Sequence, residues 1–326
     1  MSSSKSRRPR FGCGSGFWQQ TCGRSQRIAR RPGDAGVSIF QRRTSGSVVC
    51  PSCGSLVGVR DQRCYTCGRS NPGLWGFGPL LRQLGVDFGF VPVVITGSAI
   101  LYVLSLMASG SQVGVMGGGL FNILSPSGRA LLLFGASGAI PVFAAGAWWT
   151  VLSATWLHGS LLHIVFNMMW VRDLGPSTCE IVGPARTVVI YTVSGVCGFL
   201  LSSLAGQYMD WVPLAPLRGA NLTVGASASI FGLLGALMHY GRKSGSSLIH
   251  EHAKRYAILL FVFGLIGQGV NNYAHAGGFL GGYAMSAVFN PLTKERGDHL
   301  IAAAVCLLAT LGAVLASVLY GLSAYR

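Results

Sequence analysis

Long apolar runs, broken by short polar segments, dominate the chain from residue 90 onward. Runs near 90–109, 161–182, 185–205, 225–241, 255–272, 274–290 and 300–322 are each mostly apolar. About 20 such residues cross the hydrocarbon core of a bilayer as a helix, so the pattern predicts seven spans. The 274–290 run is short and glycine-rich, which suits a helix enclosed by other helices better than one facing lipid. Between the first two spans, the Gly-rich segment 110–150 ends in Trp148-Trp149 and is expected on the outer face.

Upstream of the first span the pattern changes. Residues 1–47 hold no apolar run and are dense in Arg, Ser and Gly, with one acid, Asp34. Such a segment buries too little apolar surface to order itself and reads as a basic tail. A mitochondrial-type presequence or translated sequence ahead of the true start would look the same. Residues 48–72 form a cysteine ribbon, and residues 73–89 an amphipathic linker that sets Trp75 and Phe77 at the membrane surface. A core of six helices over 90–290 and a seventh span with its flanks over 291–326 complete the expected organisation.

Composition agrees with the pattern. The chain is 50% hydrophobic and 10% charged, whereas an ordinary soluble domain is roughly a quarter charged. The net charge of +16 is uneven, with 14 of 25 Lys and Arg ahead of residue 83. A basic chain invites a nucleic-acid reading, but segments retained in the cytoplasm also accumulate Lys and Arg. With the N-terminus cytoplasmic, 22 of these residues fall inside and only Arg129, Arg218 and Arg326 outside. No nucleic-acid partner is therefore expected. The first apolar run also begins too late for a signal peptide.

Cys50/Cys53 and Cys64/Cys67 are two Cys-x-x-Cys pairs, each followed by glycine (Gly54, Gly68). Four thiolates at this spacing suit tetrahedral zinc. Two disulfides are the alternative, disfavoured on the reducing, positive side of the membrane. The site leaves no open ligand position, so the zinc is expected to be structural or to serve docking. Cys13 and Cys22 lack the paired spacing. Cys179, Cys197 and Cys306 lie in or beside spans and read as small buried hydrophobes.

Polar groups inside apolar helices are costly and mark function. Three clusters stand out: His158, His163 and Asn167 in WLHGSLLHIVFNMMW, Ser227 in LTVGASASIFGLLGA, and His275 in NNYAHAGGFLGGYAM. His163 and Asn167 are four apart and share a helix face. No glutamate accompanies the histidines as a zincin motif requires, so a metal reading is set aside. The second, fourth and sixth spans all run from outside to inside. Their outer ends bring His163 and Asn167, Ser227, and His275 to one depth. A serine, a histidine and two hydrogen-bond donors are the minimal equipment for acyl transfer.

With these motifs in this order, the sequence resembles the rhomboid intramembrane serine proteases. The family's His-x-x-x-x-His-x-x-x-Asn is matched by His158, His163 and Asn167. Its serine motif is matched by Gly225, Ala226 and Ser227, and its Ala-His-x-x-Gly-x-x-x-Gly by Ala274, His275, Gly278 and Gly282. The resemblance covers roughly residues 90–290. Gly135-Ala136-Ser137-Gly138 spells the serine motif more closely but precedes the His/Asn helix, so Ser137 reads as a turn residue. Ser229, two residues past Ser227, points to another face. Ala228 stands where the family more often has glycine, and Thr150 follows Trp149 where it often has Trp-Arg.

The resemblance implies an all-α membrane protein with a rhomboid-like six-helix core, here with one added C-terminal transmembrane helix and a small N-terminal zinc ribbon. It implies Ser227 as nucleophile and His275 as base, with His163, Asn167 and the Ser227 amide holding the oxyanion. No cofactor is implied for catalysis. The substrates implied are transmembrane proteins cut near the outer face of a bacterial inner membrane, within the lipid bilayer. The scarcity of acids agrees with a dyad: Asp173 and Glu180 fall on the cytoplasmic side and Asp210 in a loop. Phe231, one turn past Ser227, is placed to pack beneath His275. Gly277, Gly278, Gly281 and Gly282 leave the sixth helix nearly bare, and Gln268, Asn271 and Asn272 are expected to line a water opening. A catalytically inactive rhomboid-like module that binds membrane proteins remains the alternative, and it would lack Ser227 or His275. A transporter predicts internal repeats, and none is evident.

Overall fold

The computed structural model describes residues 44–50, 53–77, 86–114, 122–209, 211–212, 219–266 and 270–324. Residues 1–43 of the basic tail with Cys13 and Cys22, residues 78–85 of the linker, and Asp210, Arg218, Gln268 and Arg326 lie outside the described residues.

Each of the seven apolar runs is a helix: α1 (Phe90–Ser109), α2 (Leu161–Val182), α3 (Pro184–Tyr208), α4 (Ser227–Ser244), α5 (Ser247–Ile266), α6 (Asn272–Phe289) and α7 (Gly297–Ala324). This is an all-α membrane protein, with a small cysteine-bearing hairpin ahead of the helices. Among the described residues, Phe90–Gln112, Pro184–Tyr208 and Gly297–Ser323 are long and apolar enough to cross a membrane by length and composition alone. Of the other helices, α2 carries Arg172 and Asp173 near its middle, and α4 carries Arg242 and Lys243 in its last turn.

Local chemistry sets the helix starts. The Asp87 carboxylate accepts from the amides of Gly89 (3.2 Å) and Val91 (2.8 Å) and so caps α1. Ser160 accepts from the His163 amide at 3.3 Å to start α2. Pro184 opens α3 after Gly183, whose φ of 98° only glycine adopts freely. Asn271 accepts from the Ala274 amide at 3.1 Å to cap α6.

α6 runs against both α3 and α4, the two most extensive helix pairings. Its glycines face two ways. A Cβ on Gly278 or Gly282 would stand 2.0 Å from the backbone oxygens of Ala228 or Gly232 in α4. One on Gly277 would meet the Cys197 oxygen of α3 at 2.7 Å. The bare helix is therefore wedged between two backbones. At its far end Arg186 is buried and donates to the carbonyls of Phe289 (3.4 Å), Asn290 (3.3 Å) and Thr293 (2.7 Å). It thereby satisfies carbonyls that the end of α6 leaves open. α5 packs mainly on α4 and only slightly on α6.

The described residues of the 110–150 segment, expected on the outer face, are not simple loop. It folds into a short helix (Gly128–Phe134), a single wide turn (Ile140–Ala144) and the start of the helical turn Thr150–Ser153. Its middle pairs with the run leading into α4: the Ser137 amide donates to the Thr223 carbonyl at 3.1 Å, and the Thr223 amide to the Ser137 carbonyl at 2.7 Å.

Candidate active site

α4 begins at Ser227, with no side chain capping its first turn. Its leading amides and the positive end of its dipole are thus available to an anion. Two residues earlier, Gly225 has φ 129° and donates its amide to the Ala154 carbonyl at 3.0 Å. Glycine is required there twice over, because a Cβ would also lie 2.6 Å from His163 Nε2. The bare backbone lets the His163 ring close onto the approach to Ser227.

The Gly159 amide donates to His163 Nδ1 at 3.3 Å. A neutral imidazole that accepts at Nδ1 carries its proton at Nε2, the atom beside Gly225. Asn167, one turn on, is buried and donates from Nδ2 to the His163 carbonyl at 2.8 Å. That bond uses one of its two amide hydrogens. His158 is buried edge-on to the His163 ring, with centroids 5.2 Å apart.

His275, on the first turn of α6, places Nε2 3.0 Å from Ser227 Oγ. The Phe231 ring lies flat against its imidazole, with centroids 4.2 Å apart and planes 15° apart. His275 Nδ1 is buried with no partner among the described residues, so no carboxylate stands behind it there. Gly198 fixes the height of α6, since a Cβ would meet the Ala274 oxygen at 2.5 Å and the Ala228 side chain at 2.7 Å.

The other serines are committed elsewhere. Ser229 is fully buried and donates to the Tyr191 carbonyl of α3 at 2.6 Å. Ser137 is fully buried behind the site, where its hydroxyl meets Thr150 Oγ1 at 3.4 Å. Asn271, expected at a water opening, instead donates to Ser202 Oγ and, at 3.2 Å, to Thr223 Oγ1. It ties α6 to α3 and to the run into α4. Asn272 is buried, with its amide lacking a partner among the described residues. Sequence reasoning missed the bracing by Ala154, Gly198 and Thr223. The only available signal was the Gly195-x-x-Gly198 spacing in α3.

A second constellation lies in the hairpin β1 (Ser47–Val49) and β2 (Leu56–Gly58), paired antiparallel with Val48 opposite Val57. Two turns of like design carry the cysteines. The Gly54 amide donates to the Cys50 carbonyl (2.9 Å) and the Gly68 amide to that of Cys64 (2.8 Å), with both glycines at φ above 70°. The four sulfurs lie within 4.8 Å of one another, with Cys50–Cys67 at 3.7 Å and Cys53–Cys64 at 3.5 Å. Tetrahedral zinc with Zn–S near 2.3 Å sets sulfurs about 3.8 Å apart, so the residues fit the ion. Hydrogen bonds from Ser55 hold the Cys53 thiol down to about 6, while burial pushes Cys67 up to about 12. A cation among the sulfurs would let all four act as thiolates.

The Rhomboid domain model matches residues 145–292. RHOMBOID-like protein 7 of Arabidopsis thaliana is 32% identical over 167 residues, which cover 50% of this chain and 50% of that protein. Rhomboid protease GluP of Bacillus subtilis is 26% identical over 192 residues, 58% of this chain and 35% of GluP. Putative rhomboid protease YdcA of the same bacterium is 30% identical over 146 residues, 44% of this chain and 68% of YdcA. The chain thus spans half or less of the first two relatives and about two thirds of the third.

Proposed function

Because the chain belongs to the rhomboid family, we propose that it is an intramembrane serine endopeptidase that cuts transmembrane protein substrates by a Ser–His dyad. The observation that carries this reading is the 3.0 Å approach of His275 Nε2 to Ser227 Oγ. His275 takes the serine proton as Oγ attacks the scissile carbonyl, then returns it to the leaving amine. The acyl-enzyme is hydrolysed by water through the same two residues in reverse roles.

Charge on the tetrahedral oxygen is met by the Ser227 amide, His163 Nε2–H and the second hydrogen of Asn167. The uncapped first turn of α4 adds its dipole. Each donor is worth roughly a hundredfold in rate. Stacking on Phe231 keeps the imidazole from swinging away, which supports the dyad in place of a carboxylate. Catalysis requires no cofactor in this reading. Cys50, Cys53, Cys64 and Cys67 would hold a structural zinc that stabilises the hairpin. The charge distribution supports a cytoplasmic N-terminus in a cell's inner membrane, with cleavage near the opposite face.

The test is labelling of the full chain in detergent by a fluorophosphonate, paired with cleavage of a single-span substrate in proteoliposomes. Wild type is expected to label and cleave, and Ser227→Ala to do neither. Folded wild-type protein that neither labels nor cleaves any single-span substrate would overturn the reading in favour of an inactive, binding member of the family.

A further inference from the structure

Between the 132–150 segment and the last turns of α7 lies a cavity of about 170 Å³. Leu132, Ala136 and Pro141 form much of its wall on one side, and Ser317, Tyr320 and Gly321 on the other. It is separate from the Ser227–His275 site, whose residues do not line it. We infer that this cavity is a binding site for one acyl chain of a membrane lipid.

The chemistry of the wall selects hydrocarbon. Its polar side chains have spent their hydrogens on one another or on nearby carbonyls. Trp149 Nε1–H donates to Ser317 Oγ at 3.1 Å, and Ser317 in turn to the Ala313 carbonyl at 2.8 Å. Tyr320 donates to the Ala145 carbonyl at 3.3 Å, and Thr150 to that of Ala147 at 2.8 Å. A polar ligand would find no free hydroxyl hydrogen to accept from, whereas an apolar one loses nothing on entry. The size admits the end of such a chain, because an apolar cavity near 150 Å³ holds about six carbons, benzene's bulk. A polypeptide helix, about 10 Å across, is too wide.

The mouth faces the source of such a ligand. Ile140 and Tyr320, at its rim, are 51% and 42% exposed. Phe143, Trp148 and Tyr208 stand exposed nearby, Phe143 edge-on to Tyr208 at 6.3 Å. Aromatic residues gather where headgroups meet acyl chains, and α7 is a long apolar helix that is mostly exposed. The cavity also backs onto the site's own scaffold. The Ala139 and Ile140 amides donate to the carbonyls of Ala220 (3.0 Å) and Asn221 (3.2 Å), in the run that leads to Ser227.

The experiment places the full chain in phosphatidylcholine vesicles doped with a lipid carrying a diazirine on one acyl chain. Labelled positions are then mapped by mass spectrometry. Label is expected on Leu132 and Ala136 inside the cavity, and on Ile100 and Val103 of α1 as the lipid-facing reference. Ala145→Trp, which plugs the mouth, should abolish label on Leu132 and Ala136 and leave α1 unchanged. Ile140→Trp, on the same wide turn as Ala145, serves if the first variant fails to melt cooperatively. Interior label that persists in the plugged, folded protein would overturn the site. Wild-type label confined to outward positions, or interior label displaced by a single-span peptide, would overturn it equally. None of these outcomes depends on peptidase activity.

Discussion

Three serines in or beside short small-residue motifs differ in what their hydroxyls touch. Ser229 donates to a carbonyl of α3, Ser137 sits fully buried behind the site, and Ser227 meets a histidine. Ser229→Ala should therefore lower stability by about 1 kcal/mol, one lost hydrogen bond, with labelling of the folded fraction unchanged. Loss of labelling in folded Ser229→Ala would move the nucleophile. Asn167 has a double role to separate. Its bond to the His163 carbonyl is structural, while its remaining hydrogen is the proposed oxyanion donor. Asn167→Ala should reduce kcat roughly a hundredfold with KM little changed, because such a donor acts mainly on the transition state. A lower melting temperature with kcat intact would leave Asn167 as a helix tie only. Motif order alone made Ser227, and not Ser137, the candidate nucleophile. The commitment of Ser229 to Tyr191 was hidden, because nothing in a single chain announces which neighbouring carbonyl a serine will meet.

At the scale of the element, the spans were readable because length and apolarity are local properties. Boundaries were less so. α5 starts at Ser247 rather than near 255, since the polar turn around Glu251 and Lys254 continues the helix and closes a 2.9 Å ion pair. The glycine-rich α6 was readable as a close-packing helix, but not the division of its glycines between α3 and α4. That division makes a sharp prediction. Gly282→Ala puts a methyl carbon where a Gly232 backbone oxygen already stands, 2.0 Å away. It should cost at least about 1–3 kcal/mol as overpacking and lower labelling of Ser227 by shifting His275. Gly312→Ala in α7, with nothing within 4 Å, should leave both thermal stability and labelling as they are. Equal melting temperatures for the two variants in one detergent would show that α6 does not depend on backbone contact.

At the scale of the molecule, the hairpin meets the helical bundle near Glu295. Arg69, just past the second cysteine turn, donates to the Glu295 carbonyl at 3.4 Å. Glu295 in turn accepts from the Arg186 amide at 2.9 Å. The cysteine spacing announced the ribbon, but this link joins positions more than a hundred residues apart and had no signature in either motif. The Arg69 hydrogen bond is long, whereas the bundle's own close seams hold the helices of Ser227 and His275. The hairpin, by contrast, buries only a small cluster around Val48, Val57 and Val59 together with its own cysteines. So small a core needs a metal to stay folded. The full chain, purified under reducing conditions, should carry one zinc per molecule. A strong chelator should release it and open residues 44–77 to protease, while the helices and Ser227 labelling persist. Cys64→Ser should mimic the chelator, because a buried ligand is lost and the remaining three bind the ion far less tightly. Purified chain without zinc, or a hairpin equally protected after chelation, would refute the metal. Labelling that vanished with the zinc, with the helices intact, would show instead that the slender contact at Glu295 governs the site from the opposite end of α6.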